Sequence, residues 1–358
     1  MLGNKKCWYL ALLFSSVVFL LVLVDKYIRY QIDFPLCWDP PGYVSGANVI
    51  LSKGPIAFML ERRELALYYQ FVALLGLMLQ NTKLAQIILQ TLIAVGLIYA
   101  FSKLTLAITK SYDIAAVTAI VTFLTTNFVR LYGGPSQSFA LLLLCLVLAK
   151  MDYIAGHFKV RDWKSWVLIT VSAAVFWVHP LSFIPFLFIL LIFLLADRSS
   201  WRNVFKFGFL SFMVGVIPQI PFLPSFVRYS TVESGARALV VNPTWNFYSS
   251  NLIDWSGGNV PLFIVSLLGV WVLIQMLQEG NKSVALAALS WVVVSFSLYH
   301  LTFLFQPWWP FWYVYASRSI LILPVPILLG LGLSKTYTSL RNFLSLLLQR
   351  QNRPPISS

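Results

Sequence analysis

An all-α, polytopic membrane fold follows from three properties of the 358-residue chain. Hydrophobic residues make up 59% and charged residues only 11%, outside the range of soluble domains. Apolar runs of about 17–25 residues, the length a bilayer-spanning helix needs, recur along nearly the whole chain. The basic residues responsible for the net charge of +14 are spread over short connections between those runs. Such a distribution is a topology signal and argues against nucleic acid as a partner.

The elements follow in order. Lys5 and Lys6 precede an apolar run over residues 8–24, and the chain continues DKYIRYQ with no small-residue cleavage site. A retained first span with a cytoplasmic N-terminus is expected. Residues 65–79 (LALYYQFVALLGLML) are then decisive. Fifteen residues of helix reach about 22 Å, short of a hydrocarbon core of about 30 Å, and Tyr68, Tyr69 and Gln70 interrupt the first half. If this segment stays at the outer interface, sixteen of the 26 Lys and Arg fall on the cytoplasmic side and ten outside; if it crosses, the split becomes 7 to 19. The excess of positive charge on cytoplasmic loops selects the first arrangement.

Spans are therefore expected near 84–107, 114–130, 136–154, 165–178, 180–196, 204–224, 260–277, 283–304 and 317–333, which with the first makes about ten. The chain reads as one integral membrane domain over 1–358. Its first external loop covers 25–83 with interfacial amphipathic helices, and a second long external loop covers 225–259. The cytoplasmic tail is 335–358, so both termini are cytoplasmic. Three cysteines without paired spacing give neither a disulfide framework nor a zinc site. Gly330-Leu331-Gly332, alone in an apolar run, reads as packing.

Chemistry is then expected on the external face. Asp39, in CWDPPGYVSGANVILSK, precedes two prolines that fix φ and bar regular helix, with a new helix from about 43 to 52. It is the leading candidate base, with helix capping as the alternative role and Asp33 as the fallback base. His179, before Pro180, and His300 end two spans on this face; a structural hydrogen-bond role for His179 competes with a catalytic one. Arg318 and Arg130 stand where the chain meets the outer surface. Each either snorkels to lipid headgroups or forks onto a phosphate, the geometry Arg suits. Tyr43 and Gln137 are further candidates for lining a site.

The run Asp39…Tyr43…Ala47…Ile50…Gly54-Pro55, with echoes in LYGGPSQSFALLLL, VHPLSFIPFLFILL and SRSILILPVPILLGLGL, resembles the C-type (GT-C) membrane glycosyltransferases. The resemblance implies transfer of a sugar from a polyprenyl- or dolichyl-phosphate carrier to a glycan, lipid or protein acceptor on the non-cytoplasmic face. Asp39 would be the base and Arg318 the ligand of the lipid phosphate. The setting would be the cell membrane, or the endoplasmic reticulum membrane in a eukaryote, with membrane lipids as partners. The family's second external acid has no counterpart in residues 130–137. A divalent cation (Mg or Mn) stays open as cofactor, without an acid pair to hold it. A non-catalytic subunit of the same architecture, or a lipid or solute transporter, are the competing classes.

Overall fold

The computed structural model describes residues 5–30, 40–62, 67–125, 134–222, 260–278, 282–300 and 324–351. Within these the chain is helical: α1 Lys5–Arg29, α2 Pro40–Lys53, α3 Pro55–Arg62, α4 Leu67–Leu79, α5 Thr82–Thr109, α6 Tyr112–Leu124, α7 Pro135–Leu148, α8 Met151–His157, α9 Trp163–Val178, α10 Pro180–Ala196, α11 Trp201–Val216, α12 Val260–Gln278, α13 Lys282–His300 and α14 Val325–Gln351. Short 3-10 turns, Arg198–Ser200 and Ile217–Phe222, flank α11.

Among the described residues four stretches are long and apolar enough to cross a membrane: Lys5–Arg29, Thr82–Thr109, Arg198–Pro221 and Val260–Gln278. A fifth is added if the pair α7–α8, bent by 48°, counts as one. The other apolar helices among the described residues are shorter, 10–17 residues, so helix length supports four or five of the ten expected spans. The expected span at 136–154 is broken where Ala149 and Lys150 make hydrogen-bonded turns back to Cys145 and Val147. α14 runs unbroken from the apolar stretch through Lys335 to Gln351. Leu67–Leu79 keeps to about 20 Å, as expected of a segment too short to cross.

Hydrogen bonds fix the relative directions of the helices. At one end, here the basic end, Trp8 of α1 donates through Nε1 to Ser102 Oγ of α5 (2.6 Å), and Ser102 donates to Ala115 O of α6 (2.7 Å). The start of α1 therefore lies beside the finish of α5, so α1 and α5 run antiparallel. Lys110, just after α5, pairs with Asp152 of α8 at 3.4 Å, and Asn203 of α11 donates to Ala155 O (2.8 Å). Lys335 of α14 reaches Gln275 near the finish of α12. The α1 start, the α5–α6 turn, the α8–α9 turn and the α11 start all meet here.

Helix α5 is the axis of the bundle. Leu97, Ile98, Phe101, Leu104 and Ile108 are fully buried, and α1, α4, α6, α7 and α14 pack around it. Lipid is as apolar as leucine, so close backbone approach and satisfied polar groups hold such a bundle together. α14 shows this. A methyl added to Gly330 would stand 2.0 Å from Thr118 Oγ1 of α6, and one on Gly332 would stand 2.0 Å from Val265 O of α12. Two residues apart on a helix point to nearly opposite sides, so Gly330 and Gly332 let α14 sit tightly between two neighbours. The packing role read from the sequence is borne out. Thr105, Thr109, Thr118 and Thr122 return their hydroxyls to the carbonyl four residues back, which satisfies them without a second helix.

Candidate functional site at the neutral end

The opposite end of the bundle is assembled by α2. This helix starts at Pro40, not near residue 43, and holds both prolines in its first turn. A first helical turn has no internal use for its N–H groups, and proline's φ is already helical, so the pair begins the helix instead of blocking it. Lys53 ends α2 before Gly54, whose φ of +88° turns the chain into α3.

Two hydrogen bonds lay α2 across the start of two bundle helices. Tyr43 Oη and Ser136 Oγ, the latter in the first turn of α7, share a bond of 2.6 Å. Thr82, the first residue of α5, donates to Asn48 Oδ1 at 2.9 Å. α4 closes the packing. The Tyr43 ring meets Tyr68 edge-on at 4.7 Å and Tyr69 at 4.9 Å, and Tyr69 lies 5.2 Å from Phe58 of α3. Gly46 makes room for this stack, since a methyl there would stand 2.3 Å from the Tyr69 ring. Beneath it, Gln86 Nε2 donates to Tyr68 Oη (3.0 Å), and the phenol faces Gln86 Oε1 at 3.2 Å. Gln86 and Tyr68 are fully buried. Two phenols, a hydroxyl and an amide thus answer one another where no water reaches, as buried polar groups must.

Tyr43 is therefore an anchor: its hydroxyl is engaged with Ser136 and its ring is packed. Gln137 is half-buried in the first turn of α7, its side-chain oxygen beside Gly134. His179 joins α9 to α10 with an extended backbone; its Nδ1 pairs with Ser182 Oγ at 2.7 Å, and Ser182 N–H returns to the His179 carbonyl at 2.9 Å. That closed local pair is what a structural role for His179 requires. His300 is the last residue of α13. Asp39, Asp33, Arg130 and Arg318 lie outside the described residues, as does the expected external loop 225–259.

The described neighbours of Asp39 and Arg130 nevertheless share one end, where Tyr43 meets Ser136. Asp39 immediately precedes Pro40 of α2. Arg130 lies in sequence between Thr125, just past α6, and Gly134, just before α7. Arg318 is six residues before Pro324, which leads into α14 at the end away from Lys335. Ser136, Tyr68 and Gln86 were not singled out from the sequence. Of these only Tyr68 entered the sequence argument, as a polar interruption against a crossing at 65–79; Gln86 offered the same signal, a polar residue inside an apolar run.

The described groups do not suit Mg or Mn. Those ions take carboxylate oxygens, whereas this cluster offers phenols, hydroxyls and amides. Among the described residues no three of His, Cys, Asp and Glu converge on a point. Comparison with family models, with curated proteins and with solved structures gives no match.

Proposed function

We propose that the chain is an integral membrane glycosyltransferase that moves a sugar from a polyprenyl-phosphate carrier to an acceptor at the neutral end of the bundle. The reading rests on the resemblance in the Asp39–Pro55 run, and one observation carries it into three dimensions. The helix that follows Asp39 in sequence is bonded to the first turn of α7 and the first residue of α5.

The chemistry asks little of the protein. The acceptor oxygen attacks the anomeric carbon while the bond from that carbon to the phosphate oxygen breaks. The electron pair departs on the lipid phosphate, and the acceptor proton passes to the Asp39 carboxylate. The leaving group is already an anion, so no general acid is needed; Arg318 stabilises the charge it gains. In-line displacement inverts the anomeric centre. No step is assigned to a metal.

Asp39→Asn is the deciding experiment. Asparagine caps a helix as well as aspartate does but accepts no proton. Transfer from a polyprenyl-phosphate sugar should fall by about 10²–10⁴-fold while the melting temperature holds, with Asp33→Asn mild as the control. Arg318→Ala should lose donor binding with the fold intact. Wild-type turnover by Asp39→Asn, with donor and acceptor saturating, would remove the catalytic centre and leave a non-catalytic subunit as the better reading.

A further inference from the structure

At the basic end, the turn before α9 and the turn before α11 form one surface. The rings of Phe158 and Phe207 meet at 5.7 Å, and the Asn203 amide donates to Ala155 O. Residues 158–166 and 197–206 carry six basic side chains, Lys159, Arg161, Lys164, Arg198, Arg202 and Lys206, against two acids, Asp162 and Asp197. All six are exposed.

The two acids are engaged chiefly with hydroxyls and backbone amides. Asp162 accepts from the Tyr153 hydroxyl and, through Oδ1, from the Lys164 amide (3.1 Å), capping α9. Asp197 Oδ1 accepts from Ser199 Oγ (2.6 Å) and Ser199 N–H (3.1 Å), and its Oδ2 from Ser200 Oγ (2.7 Å). Burial alone would raise the Asp197 carboxyl, yet the Ser199 and Ser200 hydroxyls and amides together hold it below the ordinary carboxylate range. Among the described residues Arg161, Arg198, Arg202 and Lys206 have no acidic partner. Beside them stand three exposed indoles, Trp163 (69%), Trp166 (44%) and Trp201 (57%).

We propose that this surface holds the headgroups of anionic phospholipids. The argument joins three features that a merely solvated charged face does not need. The acids are engaged in helix caps, and Arg161, Arg198, Arg202 and Lys206 keep no acidic partner among the described residues. Arginine's fork matches two phosphate oxygens at once. Tryptophan settles at headgroup depth, apolar ring toward the acyl chains. The inference depends on the chain lying in a bilayer and is independent of the transferase reading.

The test uses the full chain in neutral detergent. Phosphatidylglycerol or phosphatidylcholine is titrated in, and the melting temperature and the lipid retained in native mass spectrometry are followed. Phosphatidylglycerol should stabilise saturably and stay bound, and phosphatidylcholine should not. Its apparent affinity should weaken at least about fivefold between about 50 and 500 mM NaCl, as screening demands. Neutralising R161Q/R198Q/R202Q should cost at least about tenfold in affinity, given roughly fivefold per basic residue near an anionic surface. The control K26Q/K53Q/K83Q, outside this surface, should cost nothing. Equal binding by the arginine triple variant, or an equal loss in the control, overturns the proposal. So does displacement of the lipid by inorganic phosphate beyond the effect of chloride at the same ionic strength, which would mark a soluble-anion site. The salt titration needs no variant, so a wild-type affinity that ignores salt, or that matches phosphatidylcholine, overturns it alone.

Discussion

The two ends of the bundle handle polarity in opposite ways. At the basic end the polar groups are charged, exposed and local. Asp162 and Asp197 bond to residues within a turn or a short helix of themselves, and the lone described ion pair there, Lys110–Asp152, is about half exposed on both sides. At the other end the groups that bind α2 and α4 to the bundle are neutral, buried and distant in sequence: Tyr43 meets Ser136 across 93 residues, and Tyr68 meets Gln86 across 18. The charged Asp25–Arg29 pair at the finish of α1 stays exposed. A charge stripped of water costs several kcal/mol, whereas a neutral donor–acceptor pair can be buried at little net cost. An end that must hold helices across its face is therefore built from phenols, hydroxyls and amides. An end that meets water keeps its charges outside.

That contrast is open to direct challenge. The largest stability effect should come from Gly46→Val. Its side chain would occupy the space of the Tyr69 ring, and overpacking of this kind costs about 1–3 kcal/mol. A lowered melting temperature together with lost transfer is expected; an unchanged melting temperature would mean that α2 is not clamped by α4. Next is Tyr43→Phe, which keeps the ring stack but strands the buried Ser136 hydroxyl, at about 1–2 kcal/mol. Tyr43→Phe combined with Ser136→Ala should cost less than the sum of the two single changes, and strict additivity would break the pairing.

Effects at the basic end should be smaller and should depend on pH or salt. The Tyr153 hydroxyl, then the Lys164 amide, hold the Asp162 carboxyl below the ordinary range. A depressed folded-state value means that its stabilisation is present at neutral pH and is lost as pH falls through that value. The difference in melting temperature between wild type and Asp162→Asn should therefore be greatest near neutrality and close below about pH 4; a difference that widens in acid would reverse the assignment. Smallest of all is Lys110→Gln. Its exposed pair with Asp152 should contribute under about 0.5 kcal/mol and vanish in high salt. A larger, salt-insensitive loss would show the two ends to be alike.

Much of the architecture was legible before any coordinates. Hydropathy and loop charge placed α5, α9, α10, α12 and α13 within a few residues of their observed bounds, and the short segment expected at 65–79 forms the 13-residue helix Leu67–Leu79. Local rules also captured Gly330 and Gly332, because a lone small-residue pair in an apolar helix has few uses besides close packing. They failed at Pro40-Pro41, where the rule against proline within helices was applied to positions that are the first turn of one. They failed again at Ala149-Lys150, where one apolar run proved to be two helices bent by 48°.

The sequence by itself determined most of the helical stretches and which connections are basic. The tertiary structure alone decided that Tyr43 is an anchor bonded to Ser136, that Gln86 bonds Tyr68, and that His179 closes on Ser182. The reason is physical. Hydropathy sums over a helix and does not say which face meets which neighbour, whereas a buried hydrogen bond exists only where two such faces, here up to 93 residues apart, are brought within 3 Å.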